Sequence, residues 1–435
     1  MAWPDKLKLN KQLVKSITDA GLFEPKELQQ KTLPRILGGQ DVIAVGYEGC
    51  GKTTTYILAV LNRLKHTPEG VPNILILVPD KEKVLTVISQ FDVLSKNKPV
   101  LIVGLYAAPG IEAQMNALAD GADIVVATPD RARAIYLKLG LNLNKVDLLI
   151  IDDAEQIVKQ GLQLPVVELA NSIGKCQHLV FTEVLHDKLH KMLSPFMKLP
   201  AIIDVEATGD VKISMYSQVL YHVPNFGTKL NLLNLFMQDE ELFTKTVVFV
   251  NTRQTAEKIY KSLQSKLNSE VAILNPLFYE TTHFNSINEF KAAGYARLLI
   301  VANENTEDLN LDDIPFLLHF ELPADKDTFI NRVINKTPEA LEEVLSITFT
   351  TDLELSMVKK IEQATGQKIP SAELPEDLLI EKERKNVYPE EKISLKEKAV
   401  KPVIGEAFHE KKASNSKTYN FSSGQKAKMN NKRKH

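Results

Sequence analysis

Gly46-Tyr47-Glu48-Gly49-Cys50-Gly51-Lys52-Thr53 stands between an apolar run, Asp41-Val42-Ile43-Ala44-Val45, and a helical pattern, Thr53-Thr54-Thr55-Tyr56-Ile57-Leu58-Ala59-Val60-Leu61. A glycine-rich turn between a buried strand and a helix is a phosphate-binding loop. The glycines let backbone N–H groups close around phosphates, and the helix N-terminus adds favourable partial charge. In such a loop Lys52 reaches the outer phosphates and the Thr53 hydroxyl ligates Mg²⁺. The expected nucleotide-binding set is Gly46, Gly49, Cys50, Gly51, Lys52, Thr53 and Thr54.

Working outward, the chain has 435 residues, too many for one ordinary domain and suited to two with an extension. An apolar fraction of 44% is ample for packed cores. The net charge of −2 hides an asymmetry, because residues 381–435 carry 15 Lys/Arg against 7 Asp/Glu. Two cysteines, Cys50 and Cys176, form neither a disulfide framework nor a metal-binding spacing, which points to a reducing compartment. Met1-Ala2-Trp3-Pro4-Asp5 has no apolar signal core, and no apolar run approaches the ~20 residues that span a bilayer. The expected location is the cytoplasm, with no membrane partner.

Short apolar runs alternate with helical patterns from Asp41 to about Val205. Strands are expected at Val42–Val45, Ile74–Val78, Leu101–Gly104, Ile124–Ala127, Leu148–Asp152, Leu179–Thr182 and Ile202–Val205. After a polar lapse they resume at Val219–Val223, Thr246–Val250, Val271–Leu274, Leu298–Val301, Phe316–Phe320 and Leu345–Thr350. Continuous apolar strands separated by amphipathic helices imply parallel sheets covered on both faces. The fold class is therefore α/β, with two parallel-sheet domains in tandem at residues 1–206 and 217–375, joined by a linker at 207–216. Residues 376–435 lose all periodicity. From Lys401 onward the composition cannot bury enough apolar surface to order itself.

The acidic half of a nucleotide site belongs at the end of a later strand, where Leu148-Leu149-Ile150-Ile151 runs into Asp152-Asp153-Ala154-Glu155. Asp152 is suited to hold the Mg²⁺ shell and Asp153 to activate the attacking water. The bland alternative is a solvated strand-to-helix turn.

Together these elements resemble the DEAD-box family of ATP-dependent RNA helicases over roughly residues 5 to 375. Gly21-Leu22-Phe23-Glu24-Pro25-Lys26-Glu27-Leu28-Gln29 is similar to its adenine-reading Q motif, with Gln29 as the amide that matches adenine's donor and acceptor. Pro79-Asp80-Lys81-Glu82 and Thr128-Pro129-Asp130-Arg131 stand where the family holds the RNA backbone, which implies Lys81, Thr128 and Arg131 as RNA contacts. Val247-Val248-Phe249-Val250-Asn251-Thr252-Arg253 resembles motif IV, although a strand followed by a Thr-capped helix gives the same string. The resemblance implies two RecA-like domains of a superfamily 2 helicase core, ATP and Mg²⁺ as cofactors, and RNA as partner.

The departures cluster at catalysis. Asp153 replaces the catalytic glutamate of the tetrad; one methylene retracts the carboxylate by about 1 Å, a misplacement that can cost about 10²-fold in rate. The family's Ser-Ala-Thr falls on Thr182-Glu183-Val184. Its Ala-Arg-Gly-x-Asp segment places Glu307 and Asp308 where arginine and glycine are expected. In Asn331-Arg332-Val333-Ile334-Asn335-Lys336-Thr337-Pro338, Arg332 matches the family's first arginine and is the expected residual phosphate contact. The two later arginines are Asn335 and Pro338, and losing an arginine finger costs about 10³–10⁵ in turnover. Lys336 is a point charge without the planar fork.

The expectation is an ATP- and RNA-binding helicase homologue with impaired hydrolysis. The alternatives are a fully active ATP-dependent RNA helicase, or a P-loop scaffold acting on another nucleic acid or protein. Lys411-Lys412, Lys426, Lys428 and Lys432-Arg433-Lys434, with Tyr419 and Phe421, suit sequence-independent RNA binding by the tail. A protein partner stays open. Cys50 would make nucleotide binding oxidation-sensitive only if its thiolate were exposed, and His178, His186 and His190 lack a metal-binding pattern.

Overall fold

The computed structural model describes residues 9–64, 70–95, 100–108, 110–206, 214–278, 281–305, 309–335 and 344–382. Glu307, Asp308, Lys336, Thr337, Pro338 and the basic tail lie outside them.

The first sheet contains β1 (Val42–Gly46), β2 (Ile74–Leu77), β3 (Ile102–Leu105), β4 (Ile124–Ala127), β5 (Leu148–Ile151), β6 (Gln177–Thr182) and β7 (Ala201–Val205). Its order is β3-β4-β2-β5-β6-β1-β7, and every pairing is parallel. Side chains alternate across a strand, so each apolar strand feeds two cores. Val42 and Ala44 enter a cluster under the helices Lys11–Asp19, Glu27–Leu37, Lys52–Arg63 and Lys81–Leu94. Ile43 and Val45 enter the opposite cluster with Ile135, Ile157, Leu169 and Leu189 from four other helices. Strands covered on both faces explain why their sequences are apolar throughout rather than alternating.

The second sheet contains β8 (Ser217–His222), β9 (Thr246–Val250), β10 (Val271–Leu274), β11 (His283–Phe284), β12 (Leu298–Ala302), β13 (Phe316–His319), β14 (Leu345–Thr350) and β15 (Ser371–Ala372). The order is β11-β10-β12-β9-β13-β14-β8-β15, again parallel throughout. Its centre repeats the alternation: Val248 and Val250 point to one cluster, Val247 and Phe249 to the other. The molecule is thus an α/β protein with two parallel RecA-like sheets. The two-residue edge strands β11 and β15 have no apolar run and left no sequence signal. β3 begins one residue later than expected, at Ile102.

The second half meets the first through residues that follow β14. Leu353 packs into the first sheet's second core, and Asp352 lies 3.0 Å from His222 Nε2 and 3.8 Å from His186 Nδ1. Lys368 pairs with Glu206 at 2.8 Å. Of the expected linker, 207–213 lie outside the described residues. Met215 forms an antiparallel bridge to Ile334, which ties the chain entering β8 to the end of the helix Lys326–Val333.

Candidate functional site

Parallel strands bring the ends of β1, β2, β4, β5 and β6 to one edge of the first sheet, where a ligand is expected. The loop after β1 turns through Gly49 at φ 84° and Gly51 at φ 94°, left-handed values that glycine adopts without steric cost. Gly51 is needed for a second reason. A Cβ there would lie 2.8 Å from Gln29 Nε2. Gln29 is buried, and its amide oxygen accepts from the Lys26 N–H at 3.0 Å, while Lys26 Nζ donates to the Gly49 carbonyl. The expected adenine-reading amide therefore braces the phosphate loop. Lys52 Nζ donates to the carbonyls of Gly46 at 2.7 Å and Tyr47 at 3.1 Å. Cys50 faces inward, its Sγ against Gly46, and burial raises its thiol pKa. Cys50 is buried, so the exposed thiolate on which oxidation sensitivity depends is not formed.

The acidic residues meet the loop directly. Thr53 Oγ1 donates to Asp152 Oδ2 at 3.2 Å, joining β1 and β5 across the sheet. Tyr56, one turn further along the helix and fully buried, donates to the same oxygen at 3.0 Å. The Asp153 N–H donates to Asp152 Oδ1 at 3.0 Å, and Asp153 takes a left-handed conformation at φ 48° that its short polar side chain tolerates. A residue that sequence reasoning missed completes the cluster. Lys83 Nζ lies 2.6 Å from Asp153 Oδ2 and 3.2 Å from Asp152 Oδ2. Asp80 caps the helix Lys81–Leu94 by accepting the Lys83 N–H at 2.8 Å, which aims this lysine at the carboxylates. Burial alone would lower the Lys83 pKa, but Asp152 and Asp153 raise it well above the usual lysine value. Burial and Asp153 push Asp152 up, against the pull of Lys83 and Tyr56. The ammonium is the member of this cluster held firmly in its charged form.

A cavity of about 610 Å³ opens over these groups, lined by Lys52, Thr53, Thr54, Lys83, Asp153, Glu183 and others. Behind it, Glu155 Oε2 accepts from the Thr182 hydroxyl at 2.7 Å and the Glu183 N–H at 3.2 Å. Burial first, then Asp153, raises Glu155 to about 7. Thr182 thus couples the acidic turn to the segment after β6. Glu183 projects a carboxylate 3.9 Å from Lys52. Lys360, on the helix Leu355–Thr365 of the second half, reaches the rim, 3.1 Å from Glu48 and 3.8 Å from Glu183. A larger cleft of about 790 Å³ lies at the other edge of the sheet, among residues that precede the strands, such as Asp41 and Asp147. Ligand chemistry favours the carboxyl-terminal edge.

The expected RNA contacts occupy that same edge. Lys81 lies 5.6 Å over the Tyr106 ring, and Arg131 Nε donates to Gln114 Oε1 at 2.7 Å. Thr128 precedes its helix with a buried hydroxyl that has no hydrogen-bond partner among the described residues. Arg332 is placed elsewhere. Its guanidinium carbon sits 4.0 Å over the Phe249 ring inside the second half, Nη1 is buried without a hydrogen bond among the described residues, and burial lowers its pKa to about 10. The residue expected as a residual phosphate contact is thus not among those lining the nucleotide cavity. The string around Phe249 and Thr252 serves architecture, a strand end and a helix whose Thr252 cap accepts from the Thr255 N–H at 3.1 Å. His178 pairs with Asp41 at 3.3 Å, and His186 accepts from the Leu189 N–H at 3.2 Å.

The residues expected to hold Mg²⁺, Thr53 and Asp152, are adjacent, but the set does not fit a resident divalent ion. Asp152 already accepts from Thr53, Tyr56 and the Asp153 N–H and is paired with Lys83. Magnesium needs near-octahedral oxygen ligands, and a fixed ammonium between both carboxylates competes for the same charge.

Residues 26–191 match the family model for the DEAD/DEAH box helicase. The chain is 27% identical over 376 residues to the ATP-dependent RNA helicase DeaD of Buchnera aphidicola from Schizaphis graminum, covering 85% of this chain and 60% of that protein. It is 25% identical over 381 residues to the RNA helicase CrhR of Synechocystis, covering 87% and 76%. Among solved structures, a DEAD box protein from Methanococcus jannaschii is similar at 21% identity and a TM-score of 0.49, with 86% of this chain and 99% of that one covered. The chain spans about three fifths of the length of DeaD.

Proposed function

We propose that this chain, which belongs to the DEAD-box family, binds ATP at the phosphate loop and RNA along the same sheet edge, and hydrolyses ATP slowly. The 3.2 Å contact between Thr53 and Asp152 carries the nucleotide reading, because it joins the loop and the acidic turn into one site. Gln29 against the loop supports adenine as the base. Lys81, Thr128 and Arg131 support an RNA backbone as the second ligand, with the basic tail adding sequence-independent affinity. Mg²⁺ is not required by this reading, because Lys83 already pairs with the acidic residues. Among the described residues no helix is long and apolar enough to cross a membrane. Two unpaired cysteines support action in the cytoplasm.

Two placements support slow hydrolysis. Asp153, the residue suited to activate water, is held by the Lys83 ammonium at 2.6 Å. Arg332 is stacked on Phe249 and is not among the residues lining the cavity. Without an arginine at the transferring phosphoryl group, turnover loses about 10³–10⁵. The protein then acts as a nucleotide-gated RNA clamp rather than a motor. Full helicase activity is the second reading, and Lys360 favours it, since this lysine brings a cation from the second half to the cavity.

ATP turnover with and without single-stranded RNA, beside an ATP-binding titration and a Lys52→Ala control, separates the readings. Binding that needs Lys52, with turnover at background, is expected. RNA-stimulated turnover abolished by Lys52→Ala would establish the motor.

A further inference from the structure

We propose that the Lys83 ammonium serves as the built-in cation of this site, so that the loop binds the nucleotide triphosphate without a bound divalent metal. The inference rests on the nucleotide reading above and goes beyond it to the form of the ligand. Asp153 lines a cavity that must accept a polyanion, and the fully buried Asp152 accepts the Asp153 N–H just beneath it. Left alone they would repel the phosphates, and a positive charge between them and the ligand is an electrostatic necessity. Here that charge is covalently part of the chain. Lys83 Nζ contacts both acids, at 3.2 and 2.6 Å.

Three features fix the lysine in that position. Asp80 caps its helix through the Lys83 N–H, so the side chain starts from a set backbone. The ammonium is mostly buried, at 22% exposure, while Asp152 is fully buried and screened little by solvent. Tyr56 and Thr53 hold Asp152 Oδ2 from the other side. An ammonium carries one charge where a divalent ion carries two, and it donates hydrogen bonds instead of accepting phosphate oxygens as ligands. The site therefore neutralises and orients the phosphates but polarises them less, in keeping with binding rather than fast hydrolysis.

The test is ATP titrated calorimetrically into the full-length protein, once in excess MgCl₂ and once in EDTA. Wild-type affinity is expected to agree within about threefold between the two, because the cation is internal. Lys83→Met, which keeps the stem and removes the charge, is expected to weaken binding in EDTA by about tenfold or more, with Mg²⁺ restoring it. Lys83→Arg is expected to stay metal-independent. Wild-type binding that is tenfold or more tighter with Mg²⁺ than in EDTA overturns the proposal while leaving the nucleotide reading intact. No binding in either condition overturns the nucleotide reading and this proposal with it. The wild-type comparison decides the matter even if a variant fails to fold.

Discussion

Glu155 Oε2 accepts from the Thr182 hydroxyl at 2.7 Å, so the last residue of the acidic tetrad is bonded to the last residue of β6. The same oxygen accepts the Glu183 N–H at 3.2 Å. One carboxylate oxygen thus links two strand ends behind the nucleotide cavity, and it does so while buried beside Asp153.

That burial has a consequence for stability. The Glu155 carboxyl is pushed from 4.5 up to about 7, so between those values the folded chain binds a proton that the unfolded chain has released. The stabilisation is fully present below about pH 4.5 and lost as pH rises through about 7. The difference corresponds to about 3 kcal/mol at most. Glu155→Gln stays neutral, and its amide oxygen can accept both bonds. Urea midpoints at about pH 5 and about pH 7.5 should differ less in Glu155→Gln than in the wild type. Identical pH dependence in both proteins would remove Glu155 as the cause.

Arg332 lies within the second half, not at the nucleotide cavity. The guanidinium is buried over Phe249, and Nη1 has no hydrogen bond among the described residues. Replacing an incompletely satisfied buried charge by an apolar group of similar length is often neutral or stabilising. Arg332→Met should therefore change stability by no more than about 1 kcal/mol in the unfavourable direction, since a cation–π contact is lost, and leave ATP affinity unchanged. A tenfold loss of ATP affinity would show that Arg332 leaves Phe249 to hold phosphate.

Most of the fold was legible because both sheets are parallel and doubly covered, which makes each strand a continuous apolar run. The runs at Ile74–Leu77 and Leu148–Ile151 needed no tertiary information. His283–Phe284 and Ser371–Ala372 did, since a two-residue edge strand exists only through its neighbour. In the site, the loop and Asp152 were legible from local pattern. Lys83 was not: nothing in the string after Pro79 says that a helix cap turns its ammonium onto carboxylates at the end of β5, a neighbour of β2 only in the folded sheet. Lys360 is equally invisible, because its partners lie in the other half of the chain. Arg332 matched a motif by position, but burial against Phe249 decided its direction.

Lys360 tests how the two halves act on one ligand. Its partner Glu48 is largely exposed, so their pair contributes no more than about 1 kcal/mol to stability. Its value lies in placing a positive charge at the rim of the cavity. Lys360→Met should leave the urea midpoint nearly unchanged and weaken ATP binding by about three- to tenfold at low salt, with a smaller difference at high salt. Equal affinities at both salt concentrations would reduce Lys360 to a contact between halves.

Gly51 carries two independent constraints, and a double-mutant cycle separates them. At φ 94° an alanine is strained by about 1–2 kcal/mol whatever surrounds it. Its Cβ would also stand 2.8 Å from Gln29 Nε2, and Gln29 cannot retreat freely because its oxygen holds the Lys26 N–H. Gly51→Ala should therefore destabilise the wild-type chain by more than backbone strain alone. In a Gln29→Ala background the steric part vanishes and only the strain remains, so the two substitutions should couple by about 0.5–1 kcal/mol. Additive effects in urea denaturation would mean that Gln29 moves aside at no cost and does not brace the loop. Coupling in stability together with a shared loss of ATP affinity would tie the helix that carries Gln29 to the phosphate loop as one mechanical unit.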